Sequence, residues 1–207
     1  MSYKTENILI ATTNPGKVSE IQGCLGTKIK LLSLKDFASI DEIEEDGCTF
    51  EENARKKALG YAKITGCRTI ADDSGLVIDA LNGAPGVNSA RFSGEKIKNE
   101  DRTLIDHRNI AKVLDLLKNV PQDRRTARFV CCLCLAGPEK VLLETKGTLE
   151  GIITEKEIGT NGFGYDPILF VPFLKKTVAQ LTQAEKNSIS HRGKAIRELT
   201  KKIRNIL

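Results

Sequence analysis

Short apolar runs alternate along this chain with stripes at helical spacing, the pattern of an α/β protein. Ile8-Leu9-Ile10-Ala11 reads as a short strand of the buried type, and Thr12-Thr13-Asn14-Pro15-Gly16-Lys17 follows it as a turn. A helix is predicted to start there, with Asn14 as N-cap and Pro15 as the first helical residue. Val18, Ile21 and Leu25 then recur at helical spacing, and Lys30 to Leu34 predicts a second strand. After the acidic stretch 41–47, a helix begins at about Thr49. Its apolar stripe is Phe50, Ala54, Ala58 and Tyr61, while Glu51, Glu52, Arg55 and Lys56 point elsewhere. Thr49 and Glu52 have the spacing of a capping box.

Thr69-Ile70-Ala71 predicts another strand, followed by Asp72-Asp73-Ser74-Gly75 and the apolar Leu76-Val77-Ile78. The glycine- and proline-rich segment 82–87 is a loop. A helix spans roughly 101–118 and stops before Pro121. The runs 125–136 and 140–150 are two strands joined by a turn at Gly137-Pro138. Phe163-Gly164-Tyr165-Asp166-Pro167 is a loop, and Ile189, Ile196, Leu199 and Ile203 mark a C-terminal amphipathic helix. There is no internal repeat, low-complexity tract or linker.

Composition narrows the classes. A chain of 207 residues supports one sizeable core, as one domain over 1–207 or one domain with a lobe. No apolar stretch approaches the ~20 residues of a membrane helix. The first residues lack the pattern of a signal peptide, so a cytoplasmic protein is expected. With six cysteines and two histidines, three of the cysteines crowded into one predicted strand, the thiols read as small buried side chains. The net charge of +5 permits an anionic ligand without requiring one. Aromatic residues are 5% and tryptophan is absent, a poor basis for stacking single-stranded nucleic acid.

Three groups of residues carry candidate chemistry. The strand-turn-helix at 8–25 offers free N–H groups and a positive dipole end, with Lys17 as an added charge, which suits phosphate. Neither a P-loop nor a dinucleotide fingerprint is present, and the local pattern equally fits an ordinary capped helix. The second group is Glu44, Glu45 and Asp46 with Asp72 and Asp73. Mg²⁺ takes hard oxygen ligands and keeps several waters, so one or two carboxylates suffice beside a triphosphate. If 70–74 is extended, Asp72 and Asp73 face opposite ways, one in the site and the other bonding local backbone. A solvent turn and a solvated charge run are the plainer readings of these two segments. The third group is Lys186, Ser190, His191, Arg192 and Lys194, donors gathered at a predicted helix start, with Phe163 suited to stacking on a purine. A basic helix start and a core aromatic are the alternatives.

In combination the motifs resemble one family. Ala11-Thr12-Thr13-Asn14-Pro15-Gly16-Lys17, then 44–54, then Ala71-Asp72-Asp73-Ser74-Gly75-Leu76, are similar in order and content to the inosine triphosphatase (Ham1/RdgB) family. Segments 83–87 and 89–94, Phe163 to Pro167 and Ser190-His191-Arg192-Gly193 continue the match. The resemblance implies a mixed α/β fold, with a long twisted sheet flanked by helices in two lobes and a central cleft. It implies a homodimer and a Mg²⁺-dependent pyrophosphatase acting on inosine, deoxyinosine and xanthosine triphosphates. The turn Thr12, Thr13, Asn14, Pro15, Gly16 and Lys17 is implied to bind triphosphate, as is Lys57. Glu44 and Asp73 are implied to hold the metal, Asp73 to be the catalytic base and Ser74 to touch substrate. Phe163, Gly164, Tyr165, Asp166, Lys186, His191 and Arg192 are implied to form the base-binding wall. The rival readings are a Maf-type pyrophosphatase acting on pyrimidine or modified nucleotides, and a non-enzymatic nucleotide- or RNA-binding protein.

Overall fold

The computed structural model describes residues 7–12, 14–25, 30–37, 40–94 and 101–203, so Thr13 lies outside the described residues. Among the described residues seven strands form one mixed sheet in the order β2-β1-β3-β4-β5-β6-β7. They are β1 (Asn7–Ile10), β2 (Lys30–Ser33), β3 (Arg68–Ile78), β4 (Thr126–Ala136), β5 (Val141–Ile153), β6 (Leu169–Val171) and β7 (Lys176–Thr177). The helices are α1 (Pro15–Leu25), α2 (Phe50–Thr65), α3 (Arg102–Leu117), α4 (Gln183–Ile189) and α5 (His191–Ile203). No helix among the described residues is long and apolar enough to cross a membrane. The chain divides into two compact units, Met1–Asp73 with Cys131–Gly147 and His191–Leu207, and Ser74–Val130 with Thr148–Ser190. Strands β3, β4 and β5 each pass from one unit into the other along the chain.

In the first unit β1 pairs in parallel with β2 and with β3, Ile10 standing opposite Ser33 on one side and Ile70 on the other. Side-chain alternation then divides the sheet faces. Ile8, Ile10, Ile70, Cys131, Leu133 and Leu135 share one core with Ile21 of α1 and Ala195, Ile196, Leu199 and Ile203 of α5. Helix α2 belongs to the opposite face. It is tied to β5 by Arg55 Nε on Glu144 Oε1 (3.0 Å) and by Lys146 Nζ on Glu51 Oε1 (2.8 Å). Its buried stripe includes the predicted Phe50, Ala54, Ala58 and Tyr61. The predicted capping box is present, Thr49 Oγ1 accepting from the Glu52 amide at 3.2 Å and Glu52 Oε2 from the Thr49 amide at 3.2 Å.

In the second unit β5, β6 and β7 pair antiparallel. Leu76, Ile78, Phe129, Leu149 and Ile153 pack with Ile110, Val113 and Leu117 of α3 and with Tyr165, Ile168 and Leu169. Arg125, buried beyond the end of α3, donates from Nη2 to the Leu117 carbonyl (3.0 Å) and from Nε to that of Val120 (2.9 Å). It closes the carboxyl end of the helix where carbonyls lack partners.

Two expectations change. Asp72 to Gly75 is no solvent turn, because β3 runs unbroken from Arg68 to Ile78 with both aspartates buried. The C-terminal helical region is two helices, separated at Ser190, whose backbone is extended. The seven residues of α4 are too few to show a periodic stripe, although Thr182 and Glu185 form a capping box. Cys131 and Cys134 stand at Cys-x-x-Cys spacing, yet three residues along β4 put them on opposite faces, and both are free thiols.

Removing the α2 cap isolates its contribution. Thr49→Ala is expected to cost about 1 kcal/mol, read as a fall in melting temperature of roughly 2–4 °C for a chain of this size.

Candidate functional site

The first unit places most of the expected phosphate and metal residues around two adjacent positions on β3. Helix α1 starts as predicted, with Asn14 Oδ1 accepting from the amides of Gly16 (2.9 Å) and Lys17 (3.3 Å). Thr12 Oγ1 accepts from the Asn14 amide at 3.2 Å. Two of the amides that an anion would seek at this helix end are therefore already engaged by the cap, which leaves Lys17 as the principal cation of the turn. Its ammonium pairs with Asp72 Oδ1.

Asp72 projects to the α1 and α5 face and is fully buried. Its Oδ2 accepts from Arg192 Nε (3.1 Å) and from the Cys131 thiol (3.2 Å), while Arg192 Nη1 pairs with Glu20. Burial opposes ionisation, but the charges of Lys17, Arg192 and Lys57 outweigh it and hold this carboxyl well below the usual carboxylate range. The expected bond to local backbone is replaced by an interior network of charges drawn from α1 and α5, with the neutral Cys131 thiol of β4. Arg192, read from sequence as a donor to the base, has its guanidinium inside that network, 1% exposed. A base-reading role requires it to exchange a carboxylate for the nucleotide.

Asp73 projects to the α2 face. Asn53 Nδ2 donates to its Oδ2 at 3.1 Å, and Lys57 Nζ lies 3.9 Å from its Oδ1. Lys57 is drawn off by two stronger partners, Glu45 Oε2 at 2.9 Å and the Asp72 carbonyl at 2.7 Å. Burial, with the neighbouring charges of Glu45 and Asp72, pushes the Asp73 carboxyl up to about 6 against the pull of Lys57 and Lys17. The same carboxylates keep the buried Lys57 charged, raising it above the ordinary lysine range despite desolvation.

Glu44 is exposed, and its neighbour Glu45 makes the contact to Lys57. Among the described residues no three histidine, cysteine or acidic side chains converge into a ready-made metal cage. Asn53 is the functional candidate that the sequence reading missed. Besides holding Asp73, its Oδ1 accepts from the Gly47 amide at 2.8 Å, so it ties the acidic loop to the strand. The signal was a buried polar pair, Asn53 and Lys57, one turn apart beside the apolar stripe of α2. His191 opens α5 and is buried in the first unit.

The second unit gathers Phe163, Gly164, Tyr165, Asp166 and Lys186. Lys186 Nζ donates to Asp166 Oδ2 at 2.7 Å, both side chains being 4% exposed, and lies 4.3 Å from the centroid of the Phe163 ring. Asp166 Oδ2 also accepts from the Phe163 amide at 2.9 Å. Gly162 has φ 83°, and a Cβ there would collide with the Asp166 carboxylate. Tyr165 is buried and donates its hydroxyl to the Ser89 carbonyl at 2.8 Å. Ser74, next to Asp73 along β3, is partly buried.

Known proteins share this architecture. The model of the Ham1 family matches residues 8–202. The dITP/XTP pyrophosphatase of Exiguobacterium sibiricum is 50% identical over 193 residues, which is 93% of this chain and 94% of that protein. The protein of the same description from Desulforamulus reducens is 48% identical over 92% of each chain. Among solved structures, the Ham1 protein of Staphylococcus aureus superposes with a TM-score of 0.85 at 40% identity, covering 98% of this chain and 100% of that one. The HAM1 protein of Coxiella burnetii gives a TM-score of 0.85 at 42% identity, covering 97% and 99%. A family model spanning nearly the whole chain, with relatives this similar over more than nine-tenths of their length, places the sequence: it belongs to the Ham1 family.

Proposed function

We propose that this chain hydrolyses non-standard purine nucleoside triphosphates, namely ITP, dITP, XTP and dXTP, to the nucleoside monophosphate and pyrophosphate. The observation that carries the reading is Asp73, a buried carboxyl pushed up to about 6 and held by Asn53, beside two lysines that face the carboxylate pair. Such a group takes a proton from water more readily than an ordinary aspartate. The names of the relatives supply the substrate class.

In this reading Asp73 orients and deprotonates the water that attacks the α-phosphorus. Lys17 and Lys57 bind the departing pyrophosphate, and the turn Thr12 to Lys17 cradles the phosphate chain. The donor set fits a hard divalent cation, because Glu44, Glu45 and Asp73 offer oxygen and no soft ligand stands among them. Mg²⁺ is the metal proposed, held by Glu44 and Asp73, and when bound it would neutralise phosphate charge. Ser74 contacts the substrate. Phe163, Gly164, Tyr165, Asp166, Lys186, His191 and Arg192 are proposed for the base. Purines with a 6-oxo group accept a hydrogen bond where adenine donates, and a buried donor left unpaired costs ~1–3 kcal/mol, about tenfold to a hundredfold per contact. A homodimer in the cytoplasm, with no nucleic-acid or membrane partner, is the matching setting, supported by the family resemblance and the scarcity of aromatic residues.

The deciding assay is release of pyrophosphate from ITP, dITP and XTP beside ATP and GTP, with and without Mg²⁺. Turnover is expected for the first three alone and only with the metal, ATP being excluded by its 6-amino group and GTP, which shares the 6-oxo group, at its 2-amino group. Comparable turnover of ATP overturns the base reading, and phosphate as the product overturns attack at the α-phosphorus.

Asp73→Asn separates chemistry from binding. Turnover should fall about 10²–10⁴-fold, the usual worth of a general base, with the dissociation constant for ITP within about threefold of the parent. Parallel loss of both that excess Mg²⁺ does not restore would show that Asp73 only maintains the fold.

The same variant should be more stable than the parent without metal. A carboxyl raised from 3.8 to about 6 stabilises the fold only while protonated, so its ionisation costs stability above pH 6 and nothing below about 3.8. In EDTA at pH 8, Asp73→Asn is expected to gain up to about 3 kcal/mol, from roughly two pH units at 1.36 kcal/mol each, the gain closing toward pH 4. Calorimetric melting across that range reads it, and a gain that does not vary with pH would be inconsistent with this account.

A further inference from the structure

The buried face of α3 carries two polar residues three positions apart, Asp106 and Asn109, among Ile105, Ile110, Val113 and Leu117. A carboxylate on such a face costs several kcal/mol unless it is paired, so its partners indicate its use. Asp106 Oδ2 accepts from the amide of Gly164 at 2.8 Å, and its Oδ1 lies 3.1 Å from Arg102 Nε, one turn back on the same helix. Gly164 has φ 61°, in the left-handed region, and this conformation is kept by the bond to Asp106 on one side and the turn at Phe163 on the other. Two consecutive amides of one loop, Phe163 and Gly164, are thus each held by a separate buried carboxylate, Asp166 from the loop itself and Asp106 from α3. Asn109 continues the arrangement. Its Oδ1 accepts from the Ser93 amide at 2.7 Å, and Ser89, whose carbonyl takes the Tyr165 hydroxyl, lies in the segment it braces.

We infer that Asp106 is a positioning residue for purine recognition: through the Gly164 amide it fixes the loop that presents the Phe163 ring against the Lys186 ammonium of α4. The inference rests on the proposed role of that loop at the base. Asp106 itself touches neither the base nor the phosphates in this account, so its effect is confined to affinity for the base.

The test compares Asp106→Ala, which removes the acceptor, with Asp106→Asn, which keeps one, and with Arg102→Ala, which removes only the outer ion pair. Steady-state kinetics with ITP and XTP are read beside inhibition by inorganic pyrophosphate, a ligand without a base. Asp106→Ala is expected to raise KM about tenfold, the low end of the effect of an amide left unpaired, with kcat and the inhibition constant for pyrophosphate within threefold of the parent. Asp106→Asn should recover most of the loss, and Arg102→Ala should resemble the parent. Unchanged KM in Asp106→Ala overturns the inference. So does a parallel loss of kcat and pyrophosphate affinity, which marks a general scaffold role. If Asp106→Ala does not fold, Asp106→Glu, with its carboxylate displaced by one methylene, is held to the same split. Should the unaltered chain release no pyrophosphate from any purine triphosphate, the parent reading has failed. Amide hydrogen exchange then tests Asp106 alone, with faster exchange at Gly164 expected in Asp106→Ala and not in Asp106→Asn, and equal rates in all three refuting it.

Discussion

Two adjacent carboxylates buried on one strand set the terms for the first unit. Taking a carboxylate out of water costs several kcal/mol after relaxation, and two together would repel each other as well. The pleat resolves the conflict by sending Asp72 and Asp73 to opposite faces of β3. On one face Lys17 and Arg192 neutralise Asp72 outright. On the other, Asn53 offers Asp73 a neutral donor while Lys57 leans toward Glu45 and the Asp72 carbonyl. The outcome is a pair with opposite tendencies, one carboxyl held charged and one kept near its protonation midpoint. Environment alone makes the distinction, since the two residues are identical and consecutive.

This arrangement dictates which helices must carry polar residues inward. Helices α1 and α5 share an apolar core with β1, β3 and β4, yet Glu20 and Arg192 lie within it because Asp72 does. Helix α2 buries Asn53 and Lys57 for the sake of Asp73. Each of these polar groups displaces apolar area worth about 25 cal/mol per Å². Proteins keep such features where activity depends on them, and the incompletely compensated Asp73 is where stability was given up.

Much of this was legible in the sequence because local rules and tertiary context agree there. The Asn14 cap, the Thr49–Glu52 box and the stripe of α2 are short-range signals that the structure reproduces. Period-2 alternation put Asp72 and Asp73 on opposite faces once the segment is extended, but it did not show the network of distant side chains around Asp72. What stayed hidden depends on contacts distant in sequence. The spacing of Asn53 and Lys57 beside the stripe marks the position but not what Asn53 holds, since its partners Gly47 and Asp73 lie 6 and 20 residues away. Arg192 looked like an available donor because its partners, 120 and 172 residues away, are invisible to a pattern search. The Asp72 to Gly75 turn was suggested by composition, and sheet pairing overrode it. Family resemblance singled out the loop at Phe163 but gave no reason for its shape.

That shape comes from a device related to the one on β3, used for a different end. In the second unit each of two buried carboxylates faces one backbone amide beside one cation. Asp166 holds the Phe163 amide and binds Lys186, and Asp106 holds the Gly164 amide. A carboxylate on a neutral amide gives a short, directional bond without the freedom of a long cationic side chain, so it fixes geometry more than charge. The pair of the first unit is set apart by its charges, whereas the pair of the second also holds the backbone of a loop. An aromatic ring selects a flat base only if its plane is held, and a glycine-flanked loop cannot hold a plane by its own backbone preferences. The rigidity has to be imported, and Asp106, on a helix packed into the core, is one of the groups in this unit that supply it from outside the loop.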